Sequence, residues 1–350
     1  MLSLPPLPTE DLQQILSQTA EQWEEAREKS FFITGGTGFF GMWLLESFSY
    51  INEILNLNAK AVILTRNPEV FARKAPHLYY RSDLHFIEGD IRSFPHPIGQ
   101  FDYIIHAATE VASGAQTEPT EMLSTIIEGT QYVLDFAKTA GAKKMLLTSS
   151  GAIYGSQPSE LTHIPEDHVT PPGSQFKTSA YSTGKREAER LAISHSLQHE
   201  YEIKIARCFA FVGPHLPLNS VFAIGNFIRN AIDQQPIKIH GDGTPMRSYL
   251  YASDLTTWLW SLLFSAPSNR AYNVGSDDAL SISQLANLVK KTLDNPAEIE
   301  IQHESPPSRP ISRYVPSVLR AQQELDLKVT VSLPEAIAKT ARWIRKASIE

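Results

Sequence analysis

The sequence contains almost no cysteine, no excess of positive charge and no long apolar run. Cys208 is the only cysteine, so no intramolecular disulfide can form and we expect a reducing, cytoplasmic setting. The formal net charge of −7 argues against a general nucleic-acid binder, because such a protein needs a basic face. The longest strongly apolar patch, residues 255–264, is far too short to span a bilayer, and no secretory signal follows Met1. We therefore expect no nucleic-acid partner and no membrane partner.

Two other kinds of site are also missing from the sequence. The 11 histidines are scattered, and no pair stands at ligand spacing near a cysteine or carboxylate cluster, so we expect no metal centre. His106 is accordingly interpreted as a packed residue at the end of a strand. A G-x-S-x-G turn is absent, which argues against a Ser-His-Asp hydrolase.

Short apolar strands alternate with helices along most of the chain. We expect strands at residues 29–34, 59–66, 84–90, 101–109, 143–150 and 203–211. We expect helices at residues 42–51, 121–141 with Gly141 as its cap, about 218–235, 281–293 and 333–347. This alternation predicts an α/β fold in which helices cover both faces of a parallel sheet.

Two further segments stand outside this alternation. In the first 30 residues Thr9 can cap a helix, and apolar residues recur behind it at near-helical spacing. The pattern indicates an amphipathic extension that packs on the body of the protein or on a second subunit. Residues 158–175 form a long predicted loop, and loops of that length are often functional.

Four of the 18 glycines lie within residues 35–41, between the first predicted strand and the helix that follows. Gly36, Gly38 and Gly41 fit G-x-G-x-x-G, and Gly35 fits a looser form of the same pattern. Without a Cβ, such residues let the backbone approach a pyrophosphate, and the helix N-terminus offers N–H groups and a positive dipole end. The turn therefore predicts a dinucleotide site. Its predicted cofactor contacts are Gly35, Gly38, Phe39, Phe40 and Gly41.

The next two strand ends bear on the choice of dinucleotide. The second strand ends at Arg66 without a carboxylate, and an arginine there can pair with a 2′-phosphate. NADP(H) is therefore favoured, with NAD(H) as the alternative, because a solvated arginine would look the same in the sequence. Asp90, after the third strand, can accept a hydrogen bond from the adenine amino group, although a simple turn aspartate is nearly as good an interpretation.

Tyr181 and Lys185 are four residues apart, so on a helix they share one face. A tyrosine with a pKa near 10 is a poor base at neutral pH. A neighbouring ammonium, helped by an oxidised nicotinamide, can lower that pKa by on the order of three units, worth about 4 kcal/mol. Such a tyrosine can move a proton while hydride moves to or from the nicotinamide, and Lys185 can also bond the nicotinamide ribose. An ordinary exposed helix is the alternative.

Ser149 and Ser150 end the fifth predicted strand, at the sheet edge where open α/β folds place their ligands. A hydroxyl there can bond the substrate oxygen on which Tyr181 acts. A serine-rich turn without a function would have the same sequence pattern and is the alternative interpretation.

In combination, nine segments make the chain resemble an extended short-chain dehydrogenase/reductase of the nucleotide-sugar epimerase/dehydratase type. The resemblance runs from about residue 31 to the C-terminus. The matching segments are TGGTGFFG, GDIR (89–92), IIHAAT, EGT (128–130), TSSGAIYG, YSTGK, RCFAFVGP (207–214), GDGTPMRSYLYASDL (241–255) and YNVGS (272–276). The resemblance implies a Rossmann-type doubly wound sheet at residues 31–205, after the extension at 1–30. It also implies a smaller, interleaved substrate-binding lobe built mainly from residues 206–350.

The resemblance also implies roles for single residues. Tyr181 becomes the acid/base, Lys185 its partner and Ser150 the hydroxyl that completes the triad. Arg247 takes the place of the arginine that grips the substrate's diphosphate, with Asn226 nearby. Further implied cofactor contacts are Ile91, Ala107 and Ala108. The implied substrate is a nucleotide-diphosphate sugar, and the implied assembly is a homodimer that pairs through two helices, one of them carrying Tyr181.

Several departures from the family pattern reduce the number of reactions that the chain is expected to catalyse. Relatives that are 4,6-dehydratases follow the triad residue with Asp-Glu, whereas Ser150 is followed by Gly151 and Ala152, which argues against dehydration. Ala152 also counts against sugar-acid decarboxylation, which uses a glutamate near this point. Ala210 and Ile126 replace two asparagines usual in the family, which puts the substrate in doubt.

Three readings of the function remain open. The motifs favour an epimerase that works through a keto sugar. An NADPH-dependent reductase of a nucleotide-linked keto sugar would suit Arg66. From another class, a non-catalytic dinucleotide sensor or scaffold would keep the fold without turnover.

Overall fold

The computed structural model describes residues 3–108, 118–169, 179–219, 222–303 and 310–347. In chain order the strands are β1 (Ser30–Thr34), β2 (Lys60–Thr65), β3 (Leu84–Glu88), β4 (Tyr103–His106), β5 (Lys144–Ser150), β6 (Glu202–Cys208), β7 (Phe211–Val212), β8 (Ile237–Ile239), β9 (Met246–Arg247), β10 (Leu250–Tyr251), β11 (Arg270–Val274), β12 (Leu280–Ser281), β13 (Ile299–Ile301) and β14 (Arg313–Tyr314). The α-helices are α1 (Thr9–Thr19), α2 (Phe39–Ile54), α3 (Pro68–Lys74), α4 (Pro76–Tyr79), α5 (Pro119–Thr139), α6 (Ala180–His199), α7 (Ala223–Ile232), α8 (Ala252–Ser265), α9 (Ile282–Thr292), α10 (Leu319–Leu325) and α11 (Leu333–Ala347). Two 3₁₀ segments lie at Ala20–Ala26 and Gly151–Tyr154.

Seven strands form one central parallel sheet, in the order β3, β2, β1, β4, β5, β6, β11. Its two faces are both buried: Phe31 and Ile33 pack on the side of α2 and α8, and Phe32 packs on the side of α5 and α6. The predicted α/β doubly wound class is therefore confirmed. The winding reverses between β1 and β4, and folds of this class bind ligands at that point of the carboxyl edge.

The C-terminal part of the chain adds three small sheets. β7 pairs with β10, β8 pairs with β13, and β9 lies between β12 and β14. The β9–β14 pairing is parallel and sets Tyr314 opposite Arg247. This short sheet thus brings two distant parts of the sequence to one place.

The N-terminal extension packs on the body of the protein. Trp23 is fully buried, with its ring centroid 4.6 Å from that of Trp260 and 5.1 Å from that of Phe264. The prediction that Thr9 caps α1 is wrong, because Thr9 is the first helical residue and Pro8 occupies the cap position. Pro8 has an extended ψ, and its carbonyl accepts the first amide bonds of the helix.

Other predicted elements differ from the structure at their ends. The strand expected at 203–211 is two strands, because β6 ends at Cys208 and β7 begins at Phe211 and pairs with β10 instead. The helix expected at about 218–235 is the shorter α7. Gly141 ends α5 as predicted, with a φ of +69°.

The long predicted loop at 158–175 lies only partly within the described residues, because residues 170–175 fall outside them. Within the described ranges, none of the helices has both the length and the apolar character needed to cross a membrane.

Candidate active site

The glycine-rich turn between β1 and α2 is shaped by close backbone contacts. Gly35 has a φ of +73°, and a Cβ there would lie 2.5 Å from the carbonyl carbon and oxygen of Ala107. A Cβ on Gly41 would lie 2.2 Å from the carbonyl carbon of Gly36. Because real Cβ atoms do not approach backbone so closely, these two positions require glycine.

Gly38 has different surroundings in the same turn. A Cβ on Gly38 would meet only the carbonyl oxygen of Gly35, at 3.5 Å, so this residue borders open space. Gly38 is also the N-cap of α2, and no side chain of the described residues caps that helix. The amides of the first turn, which begins with Phe39 and Phe40, are therefore available to an anionic ligand. Both features fit the pyrophosphate of a dinucleotide.

His106 links β1 to β4 beside the turn. Its buried ring is hydrogen-bonded at Nδ1 to the Thr34 hydroxyl (2.8 Å) and at Nε2 to the Thr130 hydroxyl (3.2 Å). The amide of Ala108 donates to the same Thr34 hydroxyl at 3.1 Å. Burial, together with the charge of Lys185, lowers the pKa of His106 to about 3. His106 is thus a neutral packed residue, as predicted.

The remaining predicted cofactor contacts lie at the ends of β2 and β3. The Asp90 carboxylate accepts hydrogen bonds from the Arg92 amide (2.9 Å) and Nε (2.8 Å). These bonds, with a smaller contribution from the charge of Arg66, hold the pKa of Asp90 below its usual value. Arg66 and Asp90 are thus close enough to interact, and Ile91 is buried against Gly129 of α5.

The three predicted catalytic residues meet where β5 ends beside α6. The Lys185 Nζ donates to the carbonyl of Thr148 at 2.7 Å and lies 6.0 Å from the centroid of the Tyr181 ring. Burial lowers the pKa of Lys185 to about 8. Burial also raises the pKa of Tyr181 to about 12, and a hydrogen bond with Ser150 acts in the opposite direction.

The segment after Ser150 is fixed by its neighbours. The Ala152 amide donates to the Ser150 Oγ at 3.1 Å, and the Ala152 carbonyl accepts from the Ser182 hydroxyl at 2.7 Å. A Cβ on Gly151 would lie 2.6 Å from the ring of Phe209. The aspartate of the dehydratase pattern has no room at residue 151 while Phe209 holds this position.

The two serines that end β5 have different environments. The hydroxyl of Ser149 donates to the buried carboxylate of Glu189. Glu189 also accepts three hydrogen bonds from the guanidinium of Arg207, with the closest pair of atoms 2.8 Å apart. Ser149 therefore belongs to a buried ion-pair network, which leaves Ser150 as the hydroxyl beside Tyr181.

The predicted substrate-binding residues lie in the C-terminal part. Arg247, on β9, is half-buried and donates from Nη1 to the carbonyl of Met246 at 2.8 Å. Burial lowers the pKa of Arg247, and the phenols of Tyr249 and Tyr314 act against that shift. Asn226 is half-buried in the first turn of α7, on a separate element.

Of the two asparagine replacements, Ile126 has a packing explanation, and nothing in the structure explains Ala210. Ile126 is buried on α5 and packs against Gly184 of α6, the residue before Lys185. A Cβ on Gly184 would lie 3.0 Å from the Cδ1 of Ile126, so the two helices approach closely at this point. Ala210 contributes its carbonyl, which accepts from the Leu250 amide at 3.0 Å.

Sequence reasoning missed Tyr314 and Cys208 as neighbours of this site. Burial raises the pKa of Tyr314, and Ser150, Tyr181 and Arg247 all lie close enough to influence it. The buried Cys208 thiol interacts electrostatically with Lys185, and burial raises its pKa to about 12. Neither residue stands in a spacing pattern with Tyr181, so no pattern in the sequence indicated them. Tyr314 comes close to the site because β14 pairs with β9.

Many solved structures share this fold, among them two sugar-nucleotide epimerases. UDP-N-acetylglucosamine 4-epimerase from Methanobrevibacter ruminantium M1, in complex with UDP-N-acetylmuramic acid, has a TM-score of 0.76 at 21% identity, covering 91% of this chain and 99% of that one. UDP-glucuronic acid 4-epimerase from Bacillus cereus, in complex with UDP-glucuronic acid and NAD, has a TM-score of 0.75 at 20% identity, with coverage of 91% and 99%. At these identities the likeness establishes the fold.

Sequence comparison extends the assignment to the family. The chain is 29% identical over 329 residues to UDP-glucuronic acid decarboxylase 1 of Xenopus tropicalis, covering 92% of this chain and 73% of that relative. A sequence model of the NAD dependent epimerase/dehydratase family matches residues 31–275, well over half of the chain. The match begins at the second residue of β1, after the extension. The chain therefore belongs to the NAD dependent epimerase/dehydratase family.

Proposed function

We propose that the chain is an NAD(P)-dependent nucleotide-sugar epimerase-type oxidoreductase that acts through a keto-sugar intermediate. The observation that carries this proposal is the meeting of Tyr181, Lys185 and Ser150 at the carboxyl edge of the sheet. The glycine turn lies on the same edge, because His106 connects the strand before it with the surroundings of Lys185.

The proposed chemistry assigns each side chain one task. The nicotinamide ring, when bound, takes up and returns the hydride. Tyr181 accepts the proton of the sugar hydroxyl that is oxidised and gives it back when the ketone is reduced. Lys185, with a pKa of about 8, remains mostly protonated at neutral pH and favours the phenolate of Tyr181. Ser150 hydrogen-bonds at the same oxygen.

Binding of the sugar nucleotide is assigned to the C-terminal part. The planar guanidinium of Arg247 is suited to bond two phosphate oxygens at once. Its place on β9, opposite Tyr314 and therefore near Ser150, supports a role at the diphosphate of the substrate. Asn226 on α7 is proposed as a second residue near that diphosphate.

Epimerisation is preferred over dehydration and decarboxylation because no carboxyl group follows Ser150. Gly151 is packed under the ring of Phe209, and Ala152 carries no acid. The Xenopus tropicalis relative is nevertheless named a UDP-glucuronic acid decarboxylase. UDP-glucuronic acid is therefore the substrate that discriminates best between the reactions.

The test is product analysis by chromatography and mass spectrometry after incubation with NAD⁺ and UDP-glucuronic acid, UDP-glucose or UDP-N-acetylglucosamine. Epimerisation yields a product of unchanged mass with a new retention time. Loss of CO₂ from UDP-glucuronic acid would establish decarboxylation instead, and loss of water would establish dehydration. No product from any of them, with or without reduced cofactor, would favour the non-catalytic sensor.

A second candidate is an NADPH-dependent keto-sugar reductase. Arg66 stands at the end of β2, and the Lys74 Nζ donates to the carbonyl of Thr37 in the glycine turn at 2.9 Å. Two cations near this turn support binding of a 2′-phosphate, so we propose a preference for NADP(H), although the Bacillus cereus complex holds NAD.

Chromatography of nucleotides released from denatured protein tests the cofactor. Stoichiometric NAD⁺ supports the epimerase and argues against the NADP(H) preference, whereas an empty site supports the reductase. Replacing Arg66 with alanine should weaken NADP⁺ binding about tenfold or more while changing NAD⁺ binding little. Equal losses for both cofactors would contradict the 2′-phosphate assignment.

We also propose that the protein is a cytoplasmic homodimer, paired through α5 and α6. These helices pack closely at Gly184, and Leu197 on α6 is 69% exposed. Light scattering after size-exclusion chromatography should give twice the chain mass of 39.0 kDa. A single-chain mass across the concentration range would contradict the dimer.

A further inference from the structure

Residues 4–11, called the strap below, cross from the dinucleotide-binding part of the chain to its C-terminal part. The Leu7 amide donates to the buried carboxylate of Glu46 on α2 at 2.6 Å. The Pro6 carbonyl accepts from the Nε1 of Trp343 on α11 at 3.2 Å. The match to the family begins at residue 31, so the strap is an addition to the part of the chain that matches.

The C-terminal end of the strap is anchored by a buried charge. Asp11 is fully buried, and its carboxylate accepts from the Tyr251 hydroxyl at 2.8 Å. The same carboxylate pairs with Lys339 of α11, with the closest atoms 2.7 Å apart. Breaking a buried ion pair is costly, so this end of the strap is fixed to α11. That helix packs on α9 and on α7, which carries Asn226.

The N-terminal end of the strap holds the last residue of α3. The Leu4 amide donates to the carbonyl of Lys74 at 2.8 Å. Carbonyls in the last turn of a helix have no partner within the helix, so the strap supplies the partner that this one lacks. Because α3 has only seven residues, its end depends on such contacts for a fixed position.

The side chain of Lys74 extends from this anchored position to the glycine turn. Its Nζ donates to the carbonyl of Thr37 at 2.9 Å. The next amide, that of Gly38, donates to the carbonyl of Gly35 at 3.1 Å. The planar peptide bond between Thr37 and Gly38 is therefore held at its carbonyl and at its amide. This peptide directly precedes α2, whose first amides are proposed to bind the pyrophosphate.

We propose that Lys74 is a positioning residue for the glycine turn and that the strap holds Lys74 in place. Leu4 fixes the backbone of Lys74, and the Lys74 ammonium fixes the carbonyl of Thr37. The N-terminal extension then contributes to cofactor binding, although none of its residues lies in the turn. This meaning for the cofactor rests on the proposed function, whereas the contacts exist in the ligand-free protein.

Hydrogen exchange of the ligand-free protein tests the proposal without cofactor or turnover. Mass spectrometry follows the peptides that cover residues 35–42. Lys74→Met keeps most of the apolar stem and removes the ammonium, so exchange in these peptides should become about tenfold faster. Leu4→Pro removes the amide proton that reaches the carbonyl of Lys74, and exchange should become about threefold faster.

Two matched variants serve as controls. Leu4→Ala shortens the same side chain but keeps the amide proton. Arg73→Met removes an exposed cation from the same turn of α3. Both variants should leave exchange at residues 35–42 as in wild type, and far-UV circular dichroism checks that every variant is folded.

A double variant tests whether the strap acts through Lys74. In Leu4→Pro/Lys74→Met, exchange at residues 35–42 should be no faster than in Lys74→Met alone. An effect of Leu4→Pro that persists in full in the Lys74→Met background would overturn the proposal. So would wild-type exchange in Lys74→Met, or equally fast exchange in Leu4→Ala and Leu4→Pro, which would assign the effect to the leucine side chain.

Cofactor binding is the second measurement, made by isothermal titration calorimetry. Leu4→Pro should weaken NAD⁺ and NADP⁺ by the same factor, about threefold, because both carry the pyrophosphate. The strap variant is used here because Lys74 is also proposed to lie near the 2′-phosphate. Unchanged binding of both cofactors in Leu4→Pro would contradict a role of the strap in cofactor binding. If wild type binds neither cofactor, the proposed function fails, and hydrogen exchange still decides whether Lys74 and the strap position the turn.

Discussion

The two parts of the candidate site lie on the same edge of the sheet but are built by different means. The glycine turn depends on backbone, because Gly35 and Gly41 allow approaches that any Cβ would block. The cluster at Ser150 depends on side chains from β5, α6 and β14 that lie close enough to influence one another's pKa values. One part is formed by seven consecutive residues that pack against the backbone of Ala107, and the other is assembled from side chains of segments far apart in the sequence.

The difference suggests that the glycine turn binds the cofactor and that the side-chain cluster carries out the proton transfer. A turn whose work is done by backbone amides can hold phosphates but has no group that moves a proton at neutral pH. The side-chain cluster has titratable groups, and burial shifts their pKa values apart, that of Tyr181 upward and that of Lys185 downward. Substitutions in the glycine turn should therefore weaken cofactor binding, whereas substitutions in the side-chain cluster should lower kcat.

The largest expected effect comes from Tyr181→Phe. Removal of the general acid/base should lower kcat by about 10²- to 10⁴-fold while cofactor binding and the thermal midpoint stay close to wild type. Steady-state kinetics and a thermal melt measure both quantities.

Tyr201→Phe is the control for Tyr181→Phe. Tyr201 is a buried phenol at the opposite edge of the sheet, hydrogen-bonded to His195 at 3.1 Å. Its loss should leave kcat unchanged. Equal losses of kcat in both variants would mean that the loss in Tyr181→Phe reflects a buried phenol removed from the fold and would contradict the role of Tyr181 as acid/base.

Two glycine substitutions test the glycine turn, the part of the site that is proposed to bind the cofactor. Gly41→Ala places a Cβ 2.2 Å from backbone and should lower the free energy of unfolding by about 1–3 kcal/mol. Gly38→Ala meets only one atom, at 3.5 Å, and should leave the free energy of unfolding of the ligand-free protein nearly unchanged.

The pyrophosphate assignment predicts that Gly38→Ala nevertheless weakens the rise in melting temperature that NAD⁺ or NADP⁺ produces. A thermal-shift titration of wild type and both variants measures this. If Gly38→Ala bound the cofactor as well as wild type, the open space beside Gly38 would not be the phosphate site.

The smallest expected effect concerns His106, which joins the two parts. Burial lowers its pKa to about 3, so between that pH and about 6.5 the unfolded chain binds a proton that the folded chain does not. Stability should therefore fall as pH drops below 6.5, with about 2 kcal/mol lost at pH 5 from this group. Urea unfolding of wild type and His106→Gln at pH 5 and pH 7 should show a loss smaller by that amount in the variant. Parallel pH dependences would contradict a neutral, buried His106.

The same contrast explains how much the sequence could reveal. The alternation of strands and helices, the glycine turn and the Gly141 cap were predicted, because each depends on neighbouring residues. Thr9 was wrongly predicted as a cap because the carbonyl of Pro8 already accepts the first helical amides.

What remained hidden depends on contacts between distant segments. Phe209 was expected within a strand, but its ring lies on Gly151, a contact across 58 positions of sequence that no local pattern records. Tyr314 likewise reaches Ser150 only because β14 pairs with β9. The roles of Tyr181, Lys185 and Ser150 are still predictions, although the structure brings the three side chains together.

The most direct measurement mixes purified protein and NAD⁺ or NADP⁺ with each nucleotide sugar and follows the absorbance band of reduced nicotinamide. The account predicts that at least one nucleotide sugar reduces the nicotinamide in wild type, and that Tyr181→Phe abolishes the signal while still binding the cofactor. Reduction at the same rate in Tyr181→Phe would contradict the account.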